Sequence, residues 1–92
     1  MSSARDKLVG LMQQLRSRQI LVDEFAPKYE HAWNFDLKSG ELGDYEAAIF
    51  KEVFDAAAWY TPYEEDRESY PGFKSEAAVL GAVEHALEKL GL

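Results

Sequence analysis

Hydrophobic residues recur along this chain at three- and four-residue intervals, the spacing of amphipathic helices. Leu8, Leu11, Met12 and Leu15 share one face of a first helix predicted over Ala4–Arg16, while Arg5, Lys7, Gln13, Gln14 and Arg16 fall elsewhere. Ser3 is placed to cap it, and Asp6 three residues on sits near the positive end of the helix dipole. Gly10 weakens this helix by about 1 kcal/mol relative to alanine. A second helix is predicted from Val22 to Trp33 or Asn34, with Val22, Phe25, Ala26, Tyr29, Ala32 and Trp33 on one face. Pro27 disturbs that pattern, because proline has no N–H and clashes with a preceding carbonyl outside the first turn. The helix is therefore expected to begin late or to bend there. Lys38-Ser39-Gly40 and Gly43 mark the loop that follows.

A third helix is predicted from Asp44, as its cap, to about Trp59, with Ile49, Phe50, Val53, Phe54 and Ala57 as its apolar stripe. Glu52, Asp55 and Trp59, spaced by three and then four, form an outward strip on the same helix, which Pro62 ends. A fourth helix, capped by Ser75, runs to Leu90 on Val79, Leu80, Val83, Ala86, Leu87 and Leu90, with Gly91 at its C-terminal stop. No stretch alternates like a strand over more than four residues, and there is no internal repeat. The pattern predicts an all-α fold, a compact antiparallel four-helix bundle forming a single domain over residues 1–92.

Composition adds a charge argument. The 92 residues are 47% hydrophobic, enough for a packed core, and carry ten Lys and Arg against seventeen Asp and Glu, a net charge of −7. That balance argues against direct nucleic-acid binding, which rests on clustered cations, and against an anionic membrane surface. No apolar run approaches the roughly 18 residues of a membrane span, and Met1–Ser17 lacks a signal-peptide pattern. With no cysteine there is no disulfide, thiol catalysis or cysteine-ligated zinc, and a cytoplasmic location is expected. The charge is uneven. Residues 1–22 hold four cations against one acid, whereas residues 23–70 hold thirteen acids against Lys28, Lys38, Lys51 and Arg67, a net −9.

Catalytic patterns are missing. Neither His31 nor His85 follows a glutamate by three residues, as a di-metal carboxylate bundle requires, and His85 reads as a surface residue. There is no glycine-rich phosphate loop, no His-Glu-x-x-His and no Gly-x-Ser-x-Gly. The Asp-Ser-Leu tripeptide of acyl carrier proteins does not occur either. The reading is of a protein with no catalytic residues, cofactor or metal.

The segment from Trp59 to Phe73 is the informative one, for it interleaves five aromatic residues with four acids and two prolines. A plain linker would not expose so many rings to water. Either the segment folds back as a lid and buries Trp59, Tyr60 and Phe73, or its rings serve as anchors for a partner. Tyr63 and Tyr70, beside charges, are expected to be partly exposed. Rings ringed by carboxylates suit a protein-binding hot spot, since the rings supply desolvated area and the acids steer a basic partner. Arg67 is expected to fix the loop through an ion pair with a helix carboxylate.

Several short elements, in order, carry a family resemblance: Leu15 with Ile20, Glu24-Phe25, Glu52-Val53-Phe54, Ala56-Ala57, Pro62, an acidic stretch, and Asp66-Arg67 before the last helix. In these the chain resembles the colicin D immunity-like family, bacterial self-protective proteins that include contact-dependent growth inhibition immunity proteins. The resemblance implies a small helical bundle that neutralises a cognate toxin, typically a tRNA-cleaving nuclease domain. It implies that Glu52, Asp55, Glu64, Glu65, Asp66 and Glu68 mimic nucleic-acid charge and block a basic active site. Trp59-Tyr60 and Tyr63 amid those acids depart from the family pattern. Tyr60-Thr61-Pro62 faintly echoes the Tyr-Tyr-Pro element of E-group colicin immunity proteins, but the long third helix fits that group poorly.

The expectation is thus a cytoplasmic bacterial immunity protein, monomeric when free. It would bind its toxin through Glu52, Asp55, Trp59, Tyr60, Tyr63, Glu64, Glu65, Asp66, Glu68 and Tyr70. The alternatives are a small acidic helical interaction or regulatory module with another basic partner, and a small enzyme or metal protein.

Overall fold

A computed structural model describes residues 3–38, 40–70 and 72–92. Ser39 and Pro71, which the sequence places in its two main loops, and Ser2 lie outside the described residues. The helices are α1 (Ala4–Arg16), α2 (Val22–His31), α3 (Asp44–Ala58), α4 (Glu64–Ser69) and α5 (Glu76–Leu90), with a π-helical turn, Ala32–Asp36, continuing α2. The fold is all-α, and among the described residues the one β feature is an isolated parallel bridge between Tyr60 and Lys74.

Local signals set the two outer helices as expected. The Ser3 Oγ accepts from the Asp6 N–H at 3.1 Å to open α1, and the Ser75 Oγ accepts from the Ala78 N–H at 3.2 Å to open α5. Gly91, at φ 77°, closes α5 in the left-handed conformation that glycine adopts without penalty. Asp44, by contrast, is the first residue of α3 rather than its cap, which is Gly43. The second predicted helix divides. Pro27 lies inside α2 without ending it, and the ladder widens only after His31, where the Leu37 N–H donates to the Ala32 carbonyl at 3.0 Å. Two long-range contacts hold the widened turn: Trp33 stacks on Phe54 with ring centres 5.4 Å apart, and Lys7 Nζ donates to Asp36 Oδ2 at 2.8 Å.

Packing runs in a cycle, α1 against α2, α2 against α3, α3 against α5 and α5 against α1. Leu8, Met12, Leu15, Phe25, Tyr29, Phe50, Val53, Val79, Val83 and Leu87 meet at the centre, all essentially inaccessible to water. Val9 and Ala56 join this core, while Leu11, Trp33, Phe54, Leu80 and Leu90 are only partly buried against it. Tyr29 is the one phenol at the centre of the core, and its hydroxyl donates to the Phe50 carbonyl at 2.8 Å, so its polar atom is satisfied. Burial holds this phenol's ionisation well above the ordinary range. The radius of gyration, 12.9 Å, is close to the about 12 Å typical of a compact chain of this length. No helix among the described residues is long and apolar enough to cross a membrane.

Candidate functional site

The segment after α3 is an ordered excursion rather than a loose lid. Its base is closed by two backbone bonds, Lys74 N–H to the Trp59 carbonyl at 2.7 Å and Thr61 N–H to the Lys74 carbonyl at 3.0 Å. The acidic run Glu64-Glu65-Asp66 then forms the first turn of α4, where carboxylates favour the positive end of a helix. This short helix is absent from the sequence expectation, because six residues with no buried face show no apolar periodicity.

Thr61, the one buried polar residue of the chain among those described, organises the excursion. Its hydroxyl donates to Asp66 Oδ2 at 3.1 Å and accepts from the Tyr63 N–H at 3.3 Å, and its carbonyl accepts from Arg67 Nη1 at 2.8 Å. Arg67 therefore does fix the loop, but through a backbone carbonyl instead of the expected helix carboxylate. The reason is proximity: α4 places Arg67 one turn above its cap Tyr63, and the side chain reaches back to the Thr61 carbonyl.

Aromatic packing holds the other side. Trp59, Tyr70 and Phe73 form a three-ring cluster with centres 5.5–5.7 Å apart in each pair. Gly72 is required for this arrangement, since a Cβ there would meet the Tyr70 ring at 2.6 Å. Phe73 is half-buried, yet Trp59 and Tyr70 remain 43% and 50% exposed and Tyr63 is 63% exposed. The lid reading thus holds for Phe73 alone among the rings of this cluster. Tyr60 points elsewhere: it is half-buried, and its hydroxyl donates to Asp23 Oδ1 at the start of α2. Burial, with the Asp23 carboxylate beside it, pushes this phenol up to about 12. Tyr60 belongs to the frame that ties the end of α3 to α2.

The predicted acids are all exposed, but they differ in what they touch. Asp66 is engaged with Thr61, and Asp55 meets Lys51 at 4.0 Å, a distance at which an exposed pair contributes little. Glu64, Glu65 and Glu68 project from α4. Glu52 and Asp55 line an open groove of about 310 Å³ between α3 and α5, together with Ala56, Lys74, Ala78 and Ala82. The sequence reading gave no site role to Thr61, Gly72, Lys74 or the groove alanines; Ala56 and Thr61 entered only as parts of family patterns, and Gly72, Lys74, Ala78 and Ala82 lie in no motif.

Elsewhere several acids are held by internal partners. Arg5 donates to both carboxylate oxygens of Glu46, at 2.8–3.2 Å, and its own backbone N–H donates to Glu41. The Glu46 carboxyl is held below its ordinary value by that guanidinium, and the Asp36 carboxyl by Lys7. Lys28 pairs with Glu24. Pairing therefore removes Arg5 and Lys7 from the positive charge available on α1. The acids that keep their charge turned outward include those of α4 and the adjoining face of α3. His85 is exposed, as expected, and no group of three or more His, Asp and Glu among the described residues could hold a metal ion. No protein-family model, curated protein or solved structure matches the chain.

Proposed function

We propose that this chain is an immunity protein that neutralises a cognate bacterial toxin in the cytoplasm. It would cover the cationic active site of the toxin, a tRNA-cleaving nuclease domain on the sequence resemblance, with the acidic, aromatic surface of α3 and α4. One observation carries this reading: exposed Glu64, Glu65 and Glu68 and exposed Trp59, Tyr63 and Tyr70 are presented on an excursion closed at its base and braced by Thr61. A braced loop loses little conformational freedom on binding, so more of its contact energy appears as affinity. The acids would accelerate encounter with a basic cleft, and the rings would supply the buried anchors. The cycle of helix contacts fits an antiparallel four-helix bundle as the scaffold, with α4 as an added arm. The monomer presents this surface when free.

The test is co-expression with the product of the adjoining toxin gene, followed by binding kinetics on the purified pair. Charge reversal of Glu64, Glu65 and Glu68 should slow association and flatten its dependence on salt, and abolish protection of the cell. These three are chosen over Asp66 because Asp66 also braces the loop. Wild-type protection by the triple variant would sink the assignment. Binding to a basic partner with no toxicity to relieve would favour a regulatory module instead.

A further inference from the structure

The groove between α3 and α5 has a chemistry different from the rest of the acidic surface. Its floor is made of methyl groups, from Ala56 on α3 and Ala78 and Ala82 on α5. Its α3 rim carries Glu52 and Asp55, three residues apart and so neighbours on the helix surface. Lys74, whose backbone is pinned by the bridge to Trp59 and Thr61, stands at its end. At about 310 Å³ it sits at the lower edge of the range for small-molecule pockets, a size that suits one long side chain.

We infer that this groove receives an arginine side chain of a basic protein partner. The occupant follows from charge complementarity. An apolar stem lies on the alanine methyls, as long cationic side chains do on apolar surfaces, while a planar guanidinium with five donors reaches both carboxylates. A lysine ammonium, a compact point charge, matches the pair of rim carboxylates less well. Two cations of this chain oppose the newcomer. Lys51 lies 4.0 Å from Asp55, and Lys74 lines the groove itself. Both are exposed and can swing into water as the guanidinium enters. The inference rests on the proposed function for the identity of the whole partner, but not for the chemistry of the groove.

The probe is a capped Ala-Arg-Ala peptide, titrated into the whole chain and followed by the methyl resonances of its alanines. Shifts confined to Ala56, Ala78 and Ala82 are expected, and they should vanish when citrulline, uncharged and of nearly the same shape, replaces arginine. Ala78 is exposed, so Ala78→Leu fills the groove without touching the core and should abolish the response. Glu52→Gln with Asp55→Asn, which keeps the shape, should abolish it too. Lys74→Ala should tighten binding roughly two- to five-fold, the scale of one exposed charge contact. Shifts spread evenly over the acidic surface, or an undiminished response in Ala78→Leu, would overturn the inference. The same Ala78→Leu chain offered to the toxin separates the two ideas. Full affinity there, with loss in the α4 charge-reversal variant, overturns the groove and leaves the immunity reading standing.

Discussion

Thr61 shows how much one side chain can organise. Nothing in the sequence marks the threonine between Tyr60 and Pro62 as a brace, yet its hydroxyl and carbonyl serve Asp66, Tyr63 and Arg67 at once. Thr61→Val keeps the volume and removes the hydroxyl, leaving the Tyr63 N–H without its acceptor. It should cost about 1–2 kcal/mol in urea-denaturation stability, the worth of such a bond together with an unmet donor. Tyr60 and Asp66 teach the same lesson in the opposite direction. Both belonged to the predicted partner surface by composition, and both have internal partners that make them parts of the frame. The sequence shows which residues are acidic or aromatic, but not which of them are already engaged, because the engaging atoms lie 5 residues away for Asp66 and 37 for Tyr60.

At the scale of elements, the outer helices were legible to the residue. Their caps act over three residues and their apolar faces repeat within a turn, so α1 and α5 begin and end where serine, periodicity and, for α5, glycine place them. The middle of the chain was less so. The π-turn depends on Trp33 meeting Phe54 and Asp36 meeting Lys7, contacts invisible to any local window. Helix α4 has no apolar face and depends on Thr61 and the closed base of its loop. Glycines inside the outer helices offer a direct check. Gly10 in α1 and Gly81 in α5 both have open space where a Cβ would stand. Gly10→Ala and Gly81→Ala should each raise stability by about 0.5–1 kcal/mol, through the lower entropy of the unfolded chain, as measured by thermal or urea unfolding.

For the whole molecule, the relevant quantity is where the charge is spent. Glu46 and Asp36 have folded-state pKa values below their ordinary 4.5 and 3.8, because Arg5 and Lys7 favour their ionised forms. Their contribution to stability is therefore complete above those ordinary values and is lost as pH falls through the lowered ones. Glu30 acts with the opposite sign, since burial raises its pKa and its protonation favours the folded chain. The acid limb of a stability–pH profile should accordingly steepen below about 4.5, and Glu46→Gln should make it shallower. On the alkaline side Tyr60, pushed up to about 12, stays neutral in the fold after an unfolded tyrosine has ionised, so stability should fall between about 10 and 12. Tyr60→Phe should blunt that decline in the same titration.

The sequence by itself determined that the chain is helical, where its outer helices start and stop, which residues form most of the core, and that its acidity gathers between residues 23 and 70. These follow from interactions within about one helical turn and from simple counting of charge. The tertiary structure decided the rest: which acids are neutralised by α1, which face water, that the aromatic-acidic segment is a braced arm, and that an alanine-floored groove opens beside it. Those outcomes rest on contacts between distant positions, Arg5 with Glu46, Tyr60 with Asp23 and Trp59 with Lys74. Only the packed chain brings such pairs together.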